Sequence, residues 1–255
     1  MSYLDSPTPI AFAHRGGSLV EANLGIENSM ASFTHAYEMG YRYLETDVHV
    51  SGDGRVFVFH DDTLERMTGN TASIASLDSE VLSAELLGGR ERIPMLEELI
   101  KTFPDARFNI DLKSDEAVEE TCAVIEDFNA VDRVCLASFE HERLGRIRHR
   151  LPGVATSASR REAVLVKFLP AVILRRMGIP AVALQMPETR HGIRVVTRRF
   201  VKRAHALGIQ VHVWTIDDAD SMNRLLDLGV DGLMTDRTDI LKDVLVARGM
   251  WRERQ

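Results

Sequence analysis

Seven side chains along this sequence are of the types that hold and cleave a charged ester. His14 and Arg15 begin a His-Arg-Gly-Gly run, Glu45 and Asp47 stand two apart, His60 precedes Asp61, and Asp111 and Lys113 again stand two apart. In an extended strand, residues two apart point to the same face, so each pair is presented together. Three carboxylates brought to one place repel unless something neutralises them. A hard divalent cation with oxygen ligands, Mg²⁺ or Ca²⁺, answers that charge, and Lys113 offsets part of it. Two histidines suit general acid–base work near neutral pH. Arg15 and Lys113 are donors of the kind that clamp phosphate oxygens. The set points to phosphoryl chemistry on an anionic ester.

These residues need elements that bring them together. Short apolar runs predict strands near Ile10–Ala13, Tyr43–Val48, Phe108–Leu112, Val134–Ser138, Val154–Ser157, Val182–Gln185, Val211–Thr215 and Gly232–Thr235. Amphipathic stretches predict helices at Ser29–Met39, Leu96–Phe103, Glu116–Phe128, Glu142–Arg150, Arg161–Met177, Thr197–Leu207, Ala219–Leu228 and Ile240–Arg248. Gly40, Gly178, Gly208 and Gly229 fall where left-handed C-caps belong, and Asp115 and Asp218 where N-caps belong. Eight strands alternating with eight helices imply a parallel sheet with helical crossovers, at the size of a (β/α)₈ TIM barrel. A doubly wound open sheet competes, but no Gly-x-Gly-x-x-Gly follows the first strand.

In such a barrel the active site lies at the C-terminal ends of the strands. His14-Arg15, Glu45-x-Asp47, Asp111-x-Lys113, Trp214 and Thr235-Asp236 all fall there. Residues 51–92 break the alternation and read as a small insertion after strand two, lying over the barrel top within a single domain of residues 1–255. Ser51-Gly52-Asp53-Gly54 is a hairpin turn signal, and Asp53 is read as turn chemistry alone. Pairing Val50 with Arg55 across it would set Glu45 opposite His60. Phe139, Gln185 and Trp214 are candidates for the substrate-facing wall; a core role for Trp214 is equally open.

Composition narrows the class. The chain has 255 residues, 45% hydrophobic and 27% charged, which excludes disorder or a coiled coil as its main character. Two cysteines are too few for a disulfide framework. The first residues lack the charged and apolar pattern of a secretory signal, and no run is apolar enough for a membrane span. The expectation is a soluble, cytoplasmic protein. A net charge of −7 argues against nucleic acid as a partner. Residues 141–203 nevertheless hold 15 Lys and Arg against three acids. Solvated outer helices explain that bias, and so does a surface that attracts anionic substrate or lipid. The sequence carries no signal of oligomeric state.

The motifs, taken in order, resemble the glycerophosphodiester phosphodiesterases. His-Arg-Gly, Glu27-Asn28, Glu-x-Asp-Val, His-Asp, Ile-Pro-Met-Leu-Glu-Glu at 93–98, Ile-acid-x-Lys and Val-Trp-Thr follow the family's sequence of motifs over residues 14 to about 245. The resemblance implies a (β/α)₈ barrel, a divalent metal, and hydrolysis of glycerophosphodiesters to glycerol 3-phosphate and an alcohol. It implies that His14 and His60 are the acid–base pair, that Glu45, Asp47 and Asp111 are metal ligands, and that Arg15 and Lys113 contact phosphate. This sequence departs from the family pattern at Ile26, where Pro is usual, and at Ser29, where Thr is usual. Asp111 stands where Glu is usual and reaches one methylene less far. Asp217 stands where Asn is common, which bears on recognition of the alcohol.

Two other readings accompany it. One is a lysophospholipase D acting on long-chain lipids, which an apolar mouth near Arg160–Arg176 would favour. The other is a non-catalytic binder of phosphate esters, which the loss of a histidine or carboxylate would favour. Arg160–Arg176 itself reads as a kinked outer helix around Pro170, with peripheral contact to an anionic membrane as the alternative. Arg15 is free to pair with Glu27 while contacting phosphate. His49 and His212 alternate away from the site and are read as structural; His191 is given no role.

Overall fold

The computed structural model describes residues 3–190 and 192–252, so His191 lies outside the described residues. Eight parallel strands form the barrel: β1 (Ile10–His14), β2 (Tyr43–Val50), β3 (Arg107–Leu112), β4 (Val134–Ala137), β5 (Ala155–Thr156), β6 (Ala183–Pro187), β7 (Gln210–Trp214) and β8 (Gly232–Thr235). Neighbours run in the order β5-β4-β3-β2-β1-β8-β7-β6. A parallel bridge between Ser157 and Ala183 joins the two ends, so the sheet is nearly closed. Helices follow the strands and pack apolar stripes on the outer face. The continuous core runs from Ala11 and Leu44 through Ile110 and Leu136 to Val213 and Leu233.

The expected strands are all present, with ends shifted by one or two residues. The helix expected over Arg161–Met177 is two helices, Arg160–Phe168 and Ala171–Met177. Pro170 has no N–H to donate and biases Leu169 towards extended backbone (ψ 145°), so the ladder stops there. Asp218 caps its helix, accepting from the Ser221 N–H at 2.8 Å. Asp115 does not cap; the residue before the first turn is Glu116, and Asp115 instead pairs with Arg143 at 2.7 Å.

Within residues 51–92, Phe57, Phe59, Leu64, Ile74 and Leu82 are buried together in a small core of their own. The hairpin register differs from the expected one. Val50 pairs with Val56 and Val48 with Val58, because the Ser51 N–H donates to the Arg55 carbonyl and lengthens the loop by a residue. The hairpin strand ends at Val58, so a bend beyond it aims His60, rather than pairing with Glu45. Asp53 does more than turn the chain. It accepts from Ser51 Oγ (2.6 Å), Ser79 N (2.9 Å) and Ser79 Oγ (2.6 Å), tying the hairpin to the start of the helix Ser79–Ala84.

After β1 the backbone makes three left-handed steps, at Arg15 (φ 49°), Gly16 (φ 82°) and Gly17 (φ 84°). The Arg15 N–H still bonds to the Glu45 carbonyl at 3.0 Å, and the path beyond it turns the Arg15 carbonyl to the Asn28 N–H at 3.0 Å. A Cβ on Gly16 would come within 2.7 Å of the Ser32 carbonyl carbon. Gly16→Ala is therefore expected to cost about 2–3 kcal/mol and lower Tm by roughly 5–10 °C in calorimetry. Gly89→Ala is the control, since Gly89 has φ 69° but open space around it. Equal shifts in the two variants would show that contact with Ser32 contributes nothing.

Candidate active site

The strand ends place His14 and Arg15 after β1, Glu45 and Asp47 on β2, Asp111 and Lys113 at β3, and Trp214 at the end of β7. The β2–β3 register sets Asp47 directly beside Asp111 and Glu45 beside Asn109. All these side chains, with His60 from the insertion and Phe139 and Gln185 opposite, line one cavity of about 170 Å³. All ten residues singled out in the sequence thus meet in one place. That removes the ground for a non-catalytic binder, which would have lost part of the set.

Each histidine is held from behind by a carboxylate. His14 Nδ1 lies 2.7 Å from Asp236 Oδ1, and His60 Nδ1 lies 2.6 Å from Asp61 Oδ1. A proton on Nδ1 serves that bond, and Nε2 is left as the working nitrogen. His14 Nε2 faces Glu45 Oε2 at 3.7 Å. Burial alone would push the His14 imidazolium down. The Glu45 charge and the Asp236 hydrogen bond outweigh it and hold its pKa up at about 9. Burial pushes Glu45 up to about 7, against the pull of His14.

The cations are tied to the carboxylates. Lys113 Nζ donates to Asp47 Oδ1 and Asp111 Oδ2, both at 2.7 Å. Arg15 places Nε 3.2 Å from Asp47 Oδ2 and donates from Nη1 to Glu27 Oε1 at 3.0 Å, the pairing anticipated for it. Asp47 is buried, yet Lys113 and Arg15 hold its carboxyl below the usual range. Asp111 moves the other way, because burial dominates over Lys113. Asn28 fixes the remaining face of Asp47 through Nδ2 at 3.2 Å, and takes a hydrogen bond from Thr46 Oγ1 at 2.9 Å.

Two buried carboxylates, Glu45 and Asp47, and the partly exposed Asp111 supply the hard oxygen donors that a divalent cation takes, and burial holds Glu45 up at about 7 despite the cations near it. The residues fit such an ion in type and number. Among the described residues, however, no group of three or more His, Cys, Asp or Glu is gathered as a metal centre. Asp47 and Asp111 are turned to the Lys113 ammonium.

Several participants carried no sequence signal. Arg66, from the insertion, donates to Asp61 Oδ2 (2.6 Å) and to both oxygens of Glu27 (2.7 and 3.0 Å), joining the His60 support to the Arg15 support. Asn109 accepts from Gln185 Nε2 at 2.6 Å across the cavity floor. Asp217 does not reach the cavity lining; it accepts from Thr235 Oγ1 and the Asp236 N–H, and steadies the carboxylate behind His14. His49 and His212 are structural, as expected. His49 Nε2 meets the His60 carbonyl, and His212 packs on Phe12, burial holding its pKa down at about 3.

Residues 14–240 match the model of the Glycerophosphoryl diester phosphodiesterase family. The chain belongs to that family. It is 40% identical over 252 residues to a Probable glycerophosphodiester phosphodiesterase 2 of Mycobacterium tuberculosis, covering 95% of this chain and 92% of that one. It is 26% identical over 270 residues to the human Lysophospholipase D GDPD1, covering 91% and 85%. The crystal structure of a putative glycerophosphodiester phosphodiesterase from Galdieria sulphuraria superposes with a TM-score of 0.80 at 26% identity, over 95% of this chain and 99% of that one. As a glycerophosphodiester phosphodiesterase the chain is an enzyme, a phosphoric diester hydrolase on a (β/α)₈ barrel. Among its described residues no helix is long and apolar enough to cross a membrane.

Proposed function

We propose that this phosphodiesterase hydrolyses small glycerophosphodiesters to glycerol 3-phosphate and an alcohol, with His14 and His60 as its acid–base pair. The observation that carries the reading is the pair of histidines, each held through Nδ1 by an aspartate, lining one cavity with Arg15 and Lys113. Arg15 and Lys113 bind the non-bridging phosphate oxygens and stabilise the charge that grows on them in the transition state. One imidazole takes the proton of the nucleophile, which is water or the substrate's own glycerol hydroxyl; the other protonates the departing alkoxide. Trp214 and Phe139, with ring centroids 5.9 Å apart, and Gln185 form the wall against the organic groups. Residues 51–92 work as a roof that supplies His60 to the one barrel unit. Both thiols, Cys122 and Cys135, are buried and free, which suits a reducing cytoplasmic compartment.

Glu45, Asp47 and Asp111 would hold a divalent cation, Mg²⁺ or Ca²⁺, which supplies Lewis-acid polarisation of the phosphoryl group when bound. The test is release of glycerol 3-phosphate from glycerophosphocholine with and without chelator. Activity is expected to vanish on chelation and return with Mg²⁺ or Ca²⁺; full activity in excess chelator overturns the metal. Asp111→Asn is expected to raise the metal concentration for half-maximal activity about tenfold or more. Asp111→Glu, with the same charge and longer reach, is expected to keep or lower it. If Asp111→Asn titrates like the wild type, Asp111 is not a ligand.

A further inference from the structure

Behind the catalytic cavity an unbroken line of hydrogen bonds runs from His60 to Arg15, and Arg66 is its middle link. Arg66 sits in the short helix Glu65–Thr68 of the insertion. Its Nε donates to Asp61 Oδ2 at 2.6 Å, and Nη1 and Nη2 fork onto Glu27 Oε2 and Oε1 at 3.0 and 2.7 Å. Each acceptor is shared with the site. Asp61 Oδ1 lies 2.6 Å from His60 Nδ1, and Glu27 Oε1 accepts from Arg15 Nη1 at 3.0 Å. None of Asp61, Arg66 and Glu27 lines the cavity itself.

Local structure explains why the link is needed. His60 lies beyond the hairpin strand Val56–Val58, so no ladder aims its ring. His49 Nε2 meets its carbonyl at 3.2 Å and steadies the backbone, which leaves the imidazole to Asp61. Glu27 lies in the turn before the helix Met30–Glu38, and the Arg66 fork is what fixes its carboxylate. Arg66 is 48% exposed, and a single ion pair at such exposure counts for little. Here one guanidinium makes three charge-assisted bonds, to carboxylates that are only 13% and 25% exposed. Burial would raise Asp61, but its bonds to Arg66 and His60 hold it down at about 2, so the acceptor behind His60 stays ionised.

We propose that Arg66 is a positioning residue that locks the His60 imidazole and the Arg15 guanidinium at one fixed spacing. The proton-transferring group from the insertion then meets a phosphate already held by the barrel. This rests on the phosphodiesterase reading above, and it adds a residue that touches neither substrate nor reacting atoms.

The test compares Arg66→Met with variants of the two acceptors. Arg66→Met is expected to lower kcat/KM on glycerophosphocholine about 100-fold, the loss that a misplacement of about 1 Å brings. In protein already carrying Asp61→Asn and Glu27→Gln, the same substitution is expected to cost less than about threefold, because the bonds through which it acts are gone. Arg66→Lys keeps the charge but has no fork to set on Glu27, and is expected to stay about tenfold or more impaired. Asp53→Ala is the control. It frees the hairpin from the helix Ser79–Ala84 without touching this line of bonds, and is expected to lower Tm but leave kcat/KM within about twofold. Two readouts need no turnover. Arg66→Met is expected to raise the Kd of inorganic phosphate about tenfold in calorimetry. It is also expected to turn the His60 nitrogen NMR signals from one tautomer, protonated at Nδ1, to a mixture of both. An undiminished loss in the Asp61→Asn, Glu27→Gln background overturns the proposal, as does wild-type activity in Arg66→Lys or an equal loss in Asp53→Ala. If the wild type does not cleave glycerophosphocholine, the phosphodiesterase reading fails, and the two turnover-free readouts decide Arg66 alone. Both moved supports the link; either one unmoved overturns it.

Discussion

His14→Ala and His60→Ala are each expected to lower kcat by about 10²–10⁴-fold, the usual loss when a positioned acid or base is removed. The two variants are expected to differ in stability and in their response to the leaving group. His60→Ala leaves Asp61 still bonded to Arg66 at 2.6 Å, so no charge is stranded and the fold is unaffected. His14→Ala takes from Asp236 its 2.7 Å partner and from buried Glu45 its nearest histidine, so a lower Tm accompanies the lost activity. A p-nitrophenyl ester departs without a proton. Whichever histidine serves as the acid, its alanine variant is expected to recover most of its activity on that ester, while the other stays impaired. The measurement is kcat for both variants on both substrates. A variant within tenfold of wild type on glycerophosphocholine removes that histidine from the acid–base pair.

The barrel was legible because its strands are short β-branched runs, because glycines mark the helix exits before them, and because strand alternation fixes which residues share a face. That logic places Glu45 with Asp47 and Asp111 with Lys113 correctly, since the first pair lies inside β2 and Lys113 directly follows the end of β3, its N–H still bonded to the Val48 carbonyl at 3.2 Å. It fails where a loop takes over. His60 lies beyond the last residue of its hairpin strand, so a one-residue error in register did not cost it its place in the cavity. Arg66, in the short helix Glu65–Thr68, and Glu27, in a turn, are 39 residues apart; no period in the sequence connects them, yet they join the supports of His60 and Arg15. The break at Pro170 was visible, but the length of each resulting helix depends on the capping box at Ser159 and Glu162, which packing against Arg148 completes. Asp115 failed as a cap because Arg143, far along the chain, offers it a charged partner.

Lys113→Met is expected to lower kcat/KM by about 10²–10³-fold, since the proposed mechanism has its ammonium stabilise the developing phosphoryl charge. A second consequence follows from the β2–β3 register. Asp47 and Asp111 face each other directly, and the Lys113 ammonium is the group that bonds to both, at 2.7 Å each. Methionine keeps the length of the side chain but leaves two carboxylates side by side, one of which must take up a proton or repel the other. Breaking a buried pair by removing one partner typically costs about 3–5 kcal/mol. For a chain of this size that corresponds to a fall in Tm of roughly 6–12 °C or more. Lys113→Arg keeps the charge but carries a planar fork in place of a compact ammonium that bridges two acids. It is expected to recover most of the Tm and little of the activity. That split separates the role in holding the carboxylates apart from the role at the phosphate. If Lys113→Met retains kcat/KM within tenfold of wild type, its ammonium serves the carboxylates alone, and the phosphate contact falls to Arg15.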